Sequence, residues 1–163
     1  MTEDQYNECV TRYADNVYRF ILKNLRHEED ARDVVQNAFE KLWRHRDDVV
    51  YEKSKSYLFT VAYNQMIDHI RKSKRTNHRD ITENEDVAWS HQPHSKDVSK
   101  ILHTALYKLN DLQRSLVLLK DYEGYNYEEI GVITGLNQSQ VKVYLHRARL
   151  TLRNYLVSIE NVL

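Results

Sequence analysis

The sequence predicts an all-α protein: two small helical domains joined by a flexible linker, with a helix-turn-helix in the C-terminal domain. Helix-breaking residues are scarce, with three glycines and one proline among 163 residues. Apolar side chains recur at steps of three and four along most of the chain, which is typical of helices with one buried face. Residues 80–98 interrupt this periodicity and contain the only proline, Pro93, as expected for a linker.

Three amphipathic helices are predicted before the linker, and together they can bury one small core. The first covers residues 5–26, and the second runs from about Asp30 to His45 after the interruption "HEED". Residues 46–56 are predicted as a loop, and the third helix runs from about Ser56 to Ser73. The predicted core positions are Tyr6, Val10, Tyr13, Val17, Phe20, Ile21, Leu25, Ala31, Val34, Val35, Ala38, Leu42, Leu58, Phe59, Ala62, Met66 and Ile70.

A second set of helices follows the linker. The segment "LNDLQ" separates a fourth helix from a fifth, which runs from Leu112 to Tyr122 and ends at Gly124. The apolar positions that mark the fourth helix are Ile101, Leu102, Ala105, Leu106 and Leu109.

Two further helix starts are specified close together. Asn126 with Glu129, and Asn137 with Gln140, both have the spacing of a capping box. Apolar pairs suited to hydrophobic staples stand beside both caps: Tyr125 with Ile130, and Leu136 with Val141. Gly135 suits the left-handed conformation of the tight turn between the helices. This pattern predicts a helix-turn-helix.

The last helix has two contrasting faces. Its predicted buried seam is Val141, Leu145, Ala148 and Leu152, and its outer side chains are Ser139, Gln140, Lys142, Val143, Tyr144, His146 and Arg147. A helix that enters the major groove of DNA needs donors for base edges, cations for phosphates and no nearby acids. The alternative is a solvated basic face of a structural helix.

The helices of the N-terminal domain leave two alternatives open. Phe39 and Trp43 stand beside the polar positions Asp33, Gln36 and Glu40, so they either anchor a protein interface or extend the core. On the third helix, a polar face with Thr60, Asn64, Asp68 and Arg71 leads into the basic run "RKSKRTNHR". That run either binds phosphates or is a solvated helix end.

Composition bounds the class of protein. Lys plus Arg equal Asp plus Glu, at 24 each, so net charge indicates no partner. The single cysteine, Cys9, cannot form an internal disulfide, and the acidic N-terminus is no signal peptide. No apolar run approaches membrane-spanning length. We therefore expect a cytoplasmic protein without membrane insertion.

No pattern of an enzyme stands in the chain. His91 and His94 form "HQPH" without a third ligand at metal-site spacing, and no HExxH motif occurs. The three glycines all lie within residues 124–135, so there is no glycine-rich phosphate loop. We expect no catalytic residue, metal or cofactor.

Three motifs, in order, resemble those of the bacterial RNA polymerase sigma factors of the extracytoplasmic-function group, within the sigma-70 family. They are "DARDVVQNAFEKLW" (30–43), "YLFTVAYNQMIDHIRKSKR" (57–75) and "LNDLQRSLVLLKDYEGYNYEEIGVITGLNQSQVKVYLHRARLTL" (109–152). The resemblance implies sigma domain 2 at residues 1–79, an acidic linker at 80–99 and sigma domain 4 at 100–163. The chain would then be a specificity subunit that directs promoter recognition and transcription initiation, with RNA polymerase core (its β′ and β subunits) and promoter DNA as partners.

The resemblance also implies roles for particular residues. The side chains that would dock on the clamp helices of the β′ subunit are Asp33, Gln36, Asn37, Phe39, Glu40 and Trp43. The side chains that would act at the −10 element are Asn64, Asp68, Arg71, Lys72, Lys74 and Arg75. The 47–56 loop would act with them and hold an unstacked base. The outer face of the last helix, from Ser139 to Arg147, would read the −35 element as duplex. The linker would thread the RNA exit path of the polymerase.

The resemblance further implies an anti-sigma factor as a partner, because many relatives are held inactive by a protein that wedges the two domains. The linker would permit the domains to rearrange in this way. Two other functions remain open on the residues alone. One is a helix-turn-helix regulator that acts without polymerase, as a dimer on a palindrome. The other is a helical adaptor that binds only protein.

Overall fold

The computed structural model describes residues 1–76 and 96–162. Within those ranges all regular structure is helical, as predicted, and the chain divides into two compact units. The first unit contains α1 (Glu3–Leu25), α2 (Glu28–Arg44), a 3₁₀ turn (Tyr51–Lys53) and α3 (Ser54–Thr76). Most of the second consists of α4 (Lys96–Tyr107), α5 (Asp111–Val117), a π-helical segment (Leu118–Tyr122), α6 (Tyr127–Thr134) and α7 (Gln138–Val162).

The core of the first unit lies where α1, α2 and α3 pack against one another. Phe20 of α1 and Phe59 of α3 meet there with ring centroids 5.5 Å apart. The other fully buried core side chains of this unit are Cys9, Val17, Ile21, Ala31, Ala38, Leu42, Leu58, Ala62 and Met66. Except for Cys9, all of these were expected from the helical periodicity.

Val10 is the main error in the predicted core. Its side chain is 36% exposed, whereas the neighbouring Cys9 is fully buried. The Cys9 thiol donates a hydrogen bond to Ser54 Oγ over 3.1 Å, and that hydroxyl donates to the Tyr51 carbonyl over 2.7 Å. The N-terminal part of α1 therefore packs toward the start of α3, which brings Cys9 into the core in place of Val10.

Several predicted boundaries also differ from the structure. Helix α2 begins at Glu28 and not near Asp30, because His27 caps it: His27 Nδ1 accepts a hydrogen bond from the Asp30 amide at 3.2 Å. The predicted loop at 46–56 contains the 3₁₀ turn and the first residues of α3. Helix α3 also extends to Thr76, three residues beyond the predicted end, through most of the basic run.

The second unit is built around α5 and α7, which pack together. Asn110 caps α5 in a reciprocal capping box with Gln113 that was not expected. The predicted single helix Leu112–Tyr122 instead changes to π-helical bonding at Leu118. On α4, the predicted core position Leu102 is 42% exposed, whereas the side chains of Ala105, Leu106 and Leu109 are buried as expected.

A buried arginine joins α4 to α5. Arg114 is 5% exposed, and its guanidinium donates to the carbonyl oxygens of Leu106 and Leu109 at 3.0 and 2.9 Å. Its Nη1 also lies 3.1 Å from Asp111 Oδ1. The Leu106 carbonyl also accepts from the Leu109 amide, and Leu109 lies just beyond the end of α4. Arg114 therefore adds donors where regular helical bonding stops.

The predicted linker falls mostly outside the described residues. Residues 80–95, including His91 and His94, belong to that part of the chain, and residues 77–79 of the basic run do as well. The last residues of the predicted linker, 96–99, form the first turn of α4. Among the described helices, none combines the length and apolar character needed to cross a membrane.

Glycines shape two turns between the C-terminal helices. Gly124 and Gly135 have φ angles of +76° and +77°, so both adopt the left-handed conformation expected from the sequence. Gly131 has another role: a Cβ there would stand 2.6 Å from the carbonyl oxygen of Leu136. The turn between α6 and α7 therefore passes close to α6 at a point where only glycine fits.

We expect Gly131→Ala to lower the free energy of unfolding by about 1 kcal/mol. The added Cβ costs about 1–3 kcal/mol of steric strain, and the better helix propensity of alanine offsets up to ~1 kcal/mol. Urea unfolding followed by far-ultraviolet circular dichroism measures this. Val132→Ala is the matched control, because Val132 is 64% exposed on the same helix. A Gly131→Ala protein as stable as the parent would contradict the close approach.

Candidate functional site

Two reciprocal capping boxes begin α6 and α7, as the sequence predicted. Asn126 Oδ1 accepts from the Glu129 amide at 2.8 Å, and Glu129 Oε1 accepts from the Asn126 amide at 3.0 Å. Asn137 and Gln140 repeat this arrangement with the same two distances. The start of each helix is therefore fixed by two side chains that stand three residues apart in the sequence.

The two faces of α7 are separated as expected. Val141, Leu145 and Ala148 are buried, and Leu152 is half-buried. The exposed outer side chains are Ser139, Gln140, Lys142, Val143, His146 and Arg147, and Tyr144 beside them is half-buried. No Asp or Glu occurs between residues 138 and 159. This exposed, acid-free face offers hydrogen-bond donors and cations without a carboxylate that would repel phosphate.

Aromatic rings lie beside the cations of this face. Tyr127, the first residue of α6, has Lys142 Nζ 5.4 Å and Lys120 Nζ 5.1 Å from its ring centroid. The Arg147 guanidinium carbon lies 5.9 Å from the Tyr144 ring centroid. Cations at such distances from a ring are attracted to its face. The contacts to Tyr127 were not predicted, because they join three separate elements of the unit.

Arg149, from the same basic helix, is engaged differently. Its Nη2 donates to Asp121 Oδ1 at 2.9 Å, and that hydrogen bond raises the pKa of the Arg149 guanidinium. Lys142 and Arg149 look alike as basic positions in the sequence. The structure pairs Arg149 with a carboxylate and leaves Lys142 on the acid-free face.

A polar stripe follows the exposed side of α2. Asp33, Gln36, Asn37 and Glu40 are exposed, and Trp43 is 37% exposed at the edge of the stripe. Phe39 is only 8% exposed and belongs to the core. The two alternatives left open by the sequence therefore apply to different residues: Phe39 extends the core, and Trp43 is available at the surface.

The polar face of α3 is exposed as expected. Asn64, Asp68 and Arg71 are on the surface, and so are Lys72, Lys74 and Arg75 in the basic run. A surface groove of about 320 Å³ lies between α3 and α2. Asp30, Asp33, Asp68, His69 and Lys72 line it, so acids and cations from both helices meet in one place.

His69 links the two helices across that groove. Its Nε2 lies 3.1 Å from Asp30 Oδ2, at the start of α2. No pattern in the sequence indicates this pair, since an isolated histidine on a helix has no patterned partner. Among residues 1–76 and 96–162 no cluster of three or more His, Cys, Asp or Glu side chains can hold a metal.

The segment 47–56 is anchored to α1. Arg12 Nη1 lies 3.5 Å from the Tyr51 hydroxyl, and that hydroxyl donates a hydrogen bond to the Glu8 carboxylate. The bond to Glu8 raises the pKa of the Tyr51 hydroxyl. With the Cys9–Ser54 bond, these contacts fix the 3₁₀ turn relative to the helices of its unit.

Comparison with known proteins matches both units. Residues 9–76 match the family model described as sigma-70 region 2, and residues 99–152 match sigma-70, region 4. The chain is 30% identical to the RNA polymerase sigma factor SigV of Bacillus subtilis over 141 residues, covering 86% of this chain and 84% of SigV. It is 29% identical to the extracytoplasmic-function sigma factor SigE of Mycolicibacterium smegmatis, covering 93% of this chain but 61% of SigE.

A solved structure has the same fold. The sigma factor RpoE of Bartonella quintana, crystallised with the anti-sigma factor NepR, superposes with a TM-score of 0.81 at 25% identity. The match covers 95% of this chain and 98% of RpoE.

We expect Asn137→Ala to free the amide of Gln140, because the Asn137 side chain is its hydrogen-bond acceptor. The loss of a cap costs about 1 kcal/mol. Hydrogen exchange of the Gln140 amide should therefore accelerate. Asn126→Ala is the matched control, since it removes the equivalent cap from α6 and exposes the Glu129 amide instead. Unchanged Gln140 exchange in Asn137→Ala would show that the cap does not hold the start of α7.

Proposed function

The chain belongs to the extracytoplasmic-function group of the sigma-70 family, and we propose which of its surfaces bind RNA polymerase and which read the promoter. As a sigma factor it binds core polymerase and directs promoter recognition and transcription initiation. The observation that carries the assignment of surfaces is the exposed, acid-free outer face of α7 within the region 4 match. The polymerase performs the chemistry and this chain selects the site. We place its action in the cytoplasm, where polymerase and promoter DNA meet.

We assign one sigma domain to each of the two units. We assign residues 1–79 to sigma domain 2 and 100–163 to sigma domain 4, with 80–99 as the connector. The family matches at 9–76 and 99–152 support these bounds. Because α4 begins at Lys96, the second domain takes its first helical turn from the end of the connector.

The outer face of α7 would lie in the major groove of the −35 element. Arg147 has the side-chain geometry to pair with a guanine edge, and Val143 can contact a thymine methyl. Gln140 Oε1 accepts from the Asn137 amide, so this side chain would meet a base edge through its Nε2 donor. Lys142 supplies a cation for a phosphate. Ser139, Tyr144 and His146 complete the surface at its edges.

The surface of α3 would act on the −10 element. Asn64, Asp68 and Arg71 present hydrogen-bonding groups to unpaired bases, and Lys72, Lys74 and Arg75 attract the strand electrostatically. The segment 47–56, fixed on α1 through Tyr51, would hold an unstacked base. Extracting that base costs a few kcal/mol, which contacts to the single strand must offset.

The stripe on α2 would dock on the clamp helices of the β′ subunit. Asp33 and Glu40 supply negative charge, Gln36 and Asn37 supply hydrogen bonds, and Trp43 supplies an aromatic anchor of the kind that dominates interfaces. Phe39 lies in the core, so it would support this surface from beneath without contacting the polymerase through its ring.

We also propose an anti-sigma factor as a partner. The structurally similar RpoE was crystallised with one, and the match covers nearly all of both chains. A protein that occupies the surfaces of α2 or α7 would prevent their use in initiation.

In vitro transcription tests the function. Core polymerase is supplied with genomic DNA fragments, with and without this protein, and transcript start sites are mapped. We expect new start sites that depend on the protein and are lost with Arg147→Ala. Identical start sites in both reactions would refute the assignment. Tight binding to a palindromic duplex without polymerase would instead support a conventional helix-turn-helix regulator.

We expect Lys142→Gln to weaken binding of the holoenzyme to −35 duplex DNA and to lower the salt dependence. Loss of one phosphate contact reduces the slope of log K against log salt by about 1. Fluorescence anisotropy with labelled DNA over a salt series measures both quantities. Arg153→Gln is the control, because Arg153 is exposed on the same helix but beyond the proposed reading surface. Equal slopes for Lys142→Gln and the parent would remove Lys142 from the phosphate contacts.

A further inference from the structure

The Trp43 side chain is held between two residues outside the helix that carries it. The Tyr6 ring, from α1, lies 4.9 Å from the Trp43 ring by centroids, with 65° between the planes. The Arg46 guanidinium carbon lies 3.9 Å from the ring centroid on the indole face. The indole is nevertheless 37% exposed, so this packing fixes an aromatic side chain that remains available at the surface.

Tyr6 is itself fixed to α2. Its hydroxyl donates a hydrogen bond to the Phe39 carbonyl at 3.1 Å, one turn before Trp43. Burial, followed by the nearby Glu40 charge, raises the pKa of Tyr6, as expected for a ring inserted beside the stripe. Tyr6 therefore neighbours two members of the proposed polymerase surface, Glu40 and Trp43, without being one of them.

Arg46 is fixed in a similar way. Its Nη1 donates to the Trp43 carbonyl at 2.8 Å, so the guanidinium is tied to the residue whose ring it covers. A planar guanidinium stacks on an aromatic face better than an ammonium does. The bond and the stacking together restrict the rotation of the indole.

We propose that Tyr6 and Arg46 are positioning residues that hold the Trp43 indole in the orientation in which it contacts core polymerase. The proposal rests on the function assigned above to the stripe of α2. Interface anchors bind best when they are rigid before contact, because immobilising a side chain on binding costs conformational entropy. The partner surface would present basic groups to Asp33 and Glu40 and an apolar patch to the indole.

A purely structural explanation gives a different expectation. Tyr6 also joins α1 to α2, and if that were its only role, its loss would lower stability and weaken every activity whether or not Trp43 is present. If Tyr6 acts through Trp43, its effect on polymerase affinity disappears once the indole is removed. A double-mutant cycle separates the two cases.

The experiment measures the affinity of the full chain for core polymerase. We expect Trp43→Ala to weaken binding about 30-fold, as for a hot-spot residue. Tyr6→Leu should weaken it about three- to tenfold. Tyr6→Leu added to Trp43→Ala should have no further effect. A full additional loss in the double variant would overturn the positioning role.

Conservative variants identify the contact that matters. Tyr6→Phe keeps the ring and should retain most of the affinity, and Arg46→Lys keeps the charge but loses the stacked plane, so it should weaken binding as Arg46→Gln does. Affinity equal to the parent in both Arg46 variants would overturn the role of Arg46. A loss in Tyr6→Phe as large as in Tyr6→Leu would overturn the role of the Tyr6 ring.

A spectroscopic measurement reports on the indole directly. The chain has two tryptophans, so a Trp89→Phe background leaves Trp43 as the only one. Tyr6→Leu and Arg46→Gln should lower the fluorescence anisotropy of Trp43 and increase its quenching by acrylamide. Unchanged anisotropy and quenching in both would overturn the proposal even if affinity fell.

Asp33→Asn distinguishes failure of this proposal from failure of the assigned function. If Asp33→Asn weakens polymerase binding and Trp43→Ala does not, the stripe binds polymerase without the indole and only the positioning proposal fails. If neither substitution changes the affinity, the assignment of α2 to polymerase fails, and the positioning proposal fails with it.

Discussion

The hydrogen bonds that start α7 decide what the C-terminal unit presents to its surroundings. Asn137 and Gln140 fix the first residue of the helix, and the left-handed Gly135 fixes the direction from which the chain arrives. Successive helical side chains differ by about 100° in direction. A start displaced by one residue would therefore turn Val141 and Leu145 away from the core. The exposure of the acid-free face depends on this rotational setting of α7 more than on any single cation.

Local patterns were the part of the fold that the sequence could predict. A capping box spans four residues and a helical stripe spans a few turns, so both are visible without knowledge of the rest of the chain. One error was local: His27 caps α2, although histidine is not among the preferred caps. Other features were missed because a distant residue decides them. Cys9 replaces Val10 in the core because Ser54 lies on its side, and Gly131 is required by a turn five residues away.

The candidate surfaces were likewise predictable only where local spacing decides. Helical spacing placed the polar positions of α2 and α7 on exposed faces correctly, because exposure follows from the period. It did not separate Phe39 from Trp43, since burial at the edge of a stripe depends on the neighbouring helix. It also did not separate Lys142 from Arg149, because the carboxylate of Asp121 comes from another element. The use of each surface in polymerase and promoter binding remains a prediction.

The charge distribution explains how a neutral chain can serve two unlike partners. Lysine and arginine balance aspartate and glutamate over the whole chain, yet α7 has no acid between residues 138 and 159 and the stripe on α2 carries Asp33 and Glu40. Affinity for DNA rises steeply with the number of phosphates neutralised. One short basic face alone gives few such contacts, so we expect the free factor to bind DNA weakly. If the polymerase holds the stripe on α2 as proposed, its own DNA contacts add to those expected of α7. Selective promoter binding is then a property of the assembled holoenzyme.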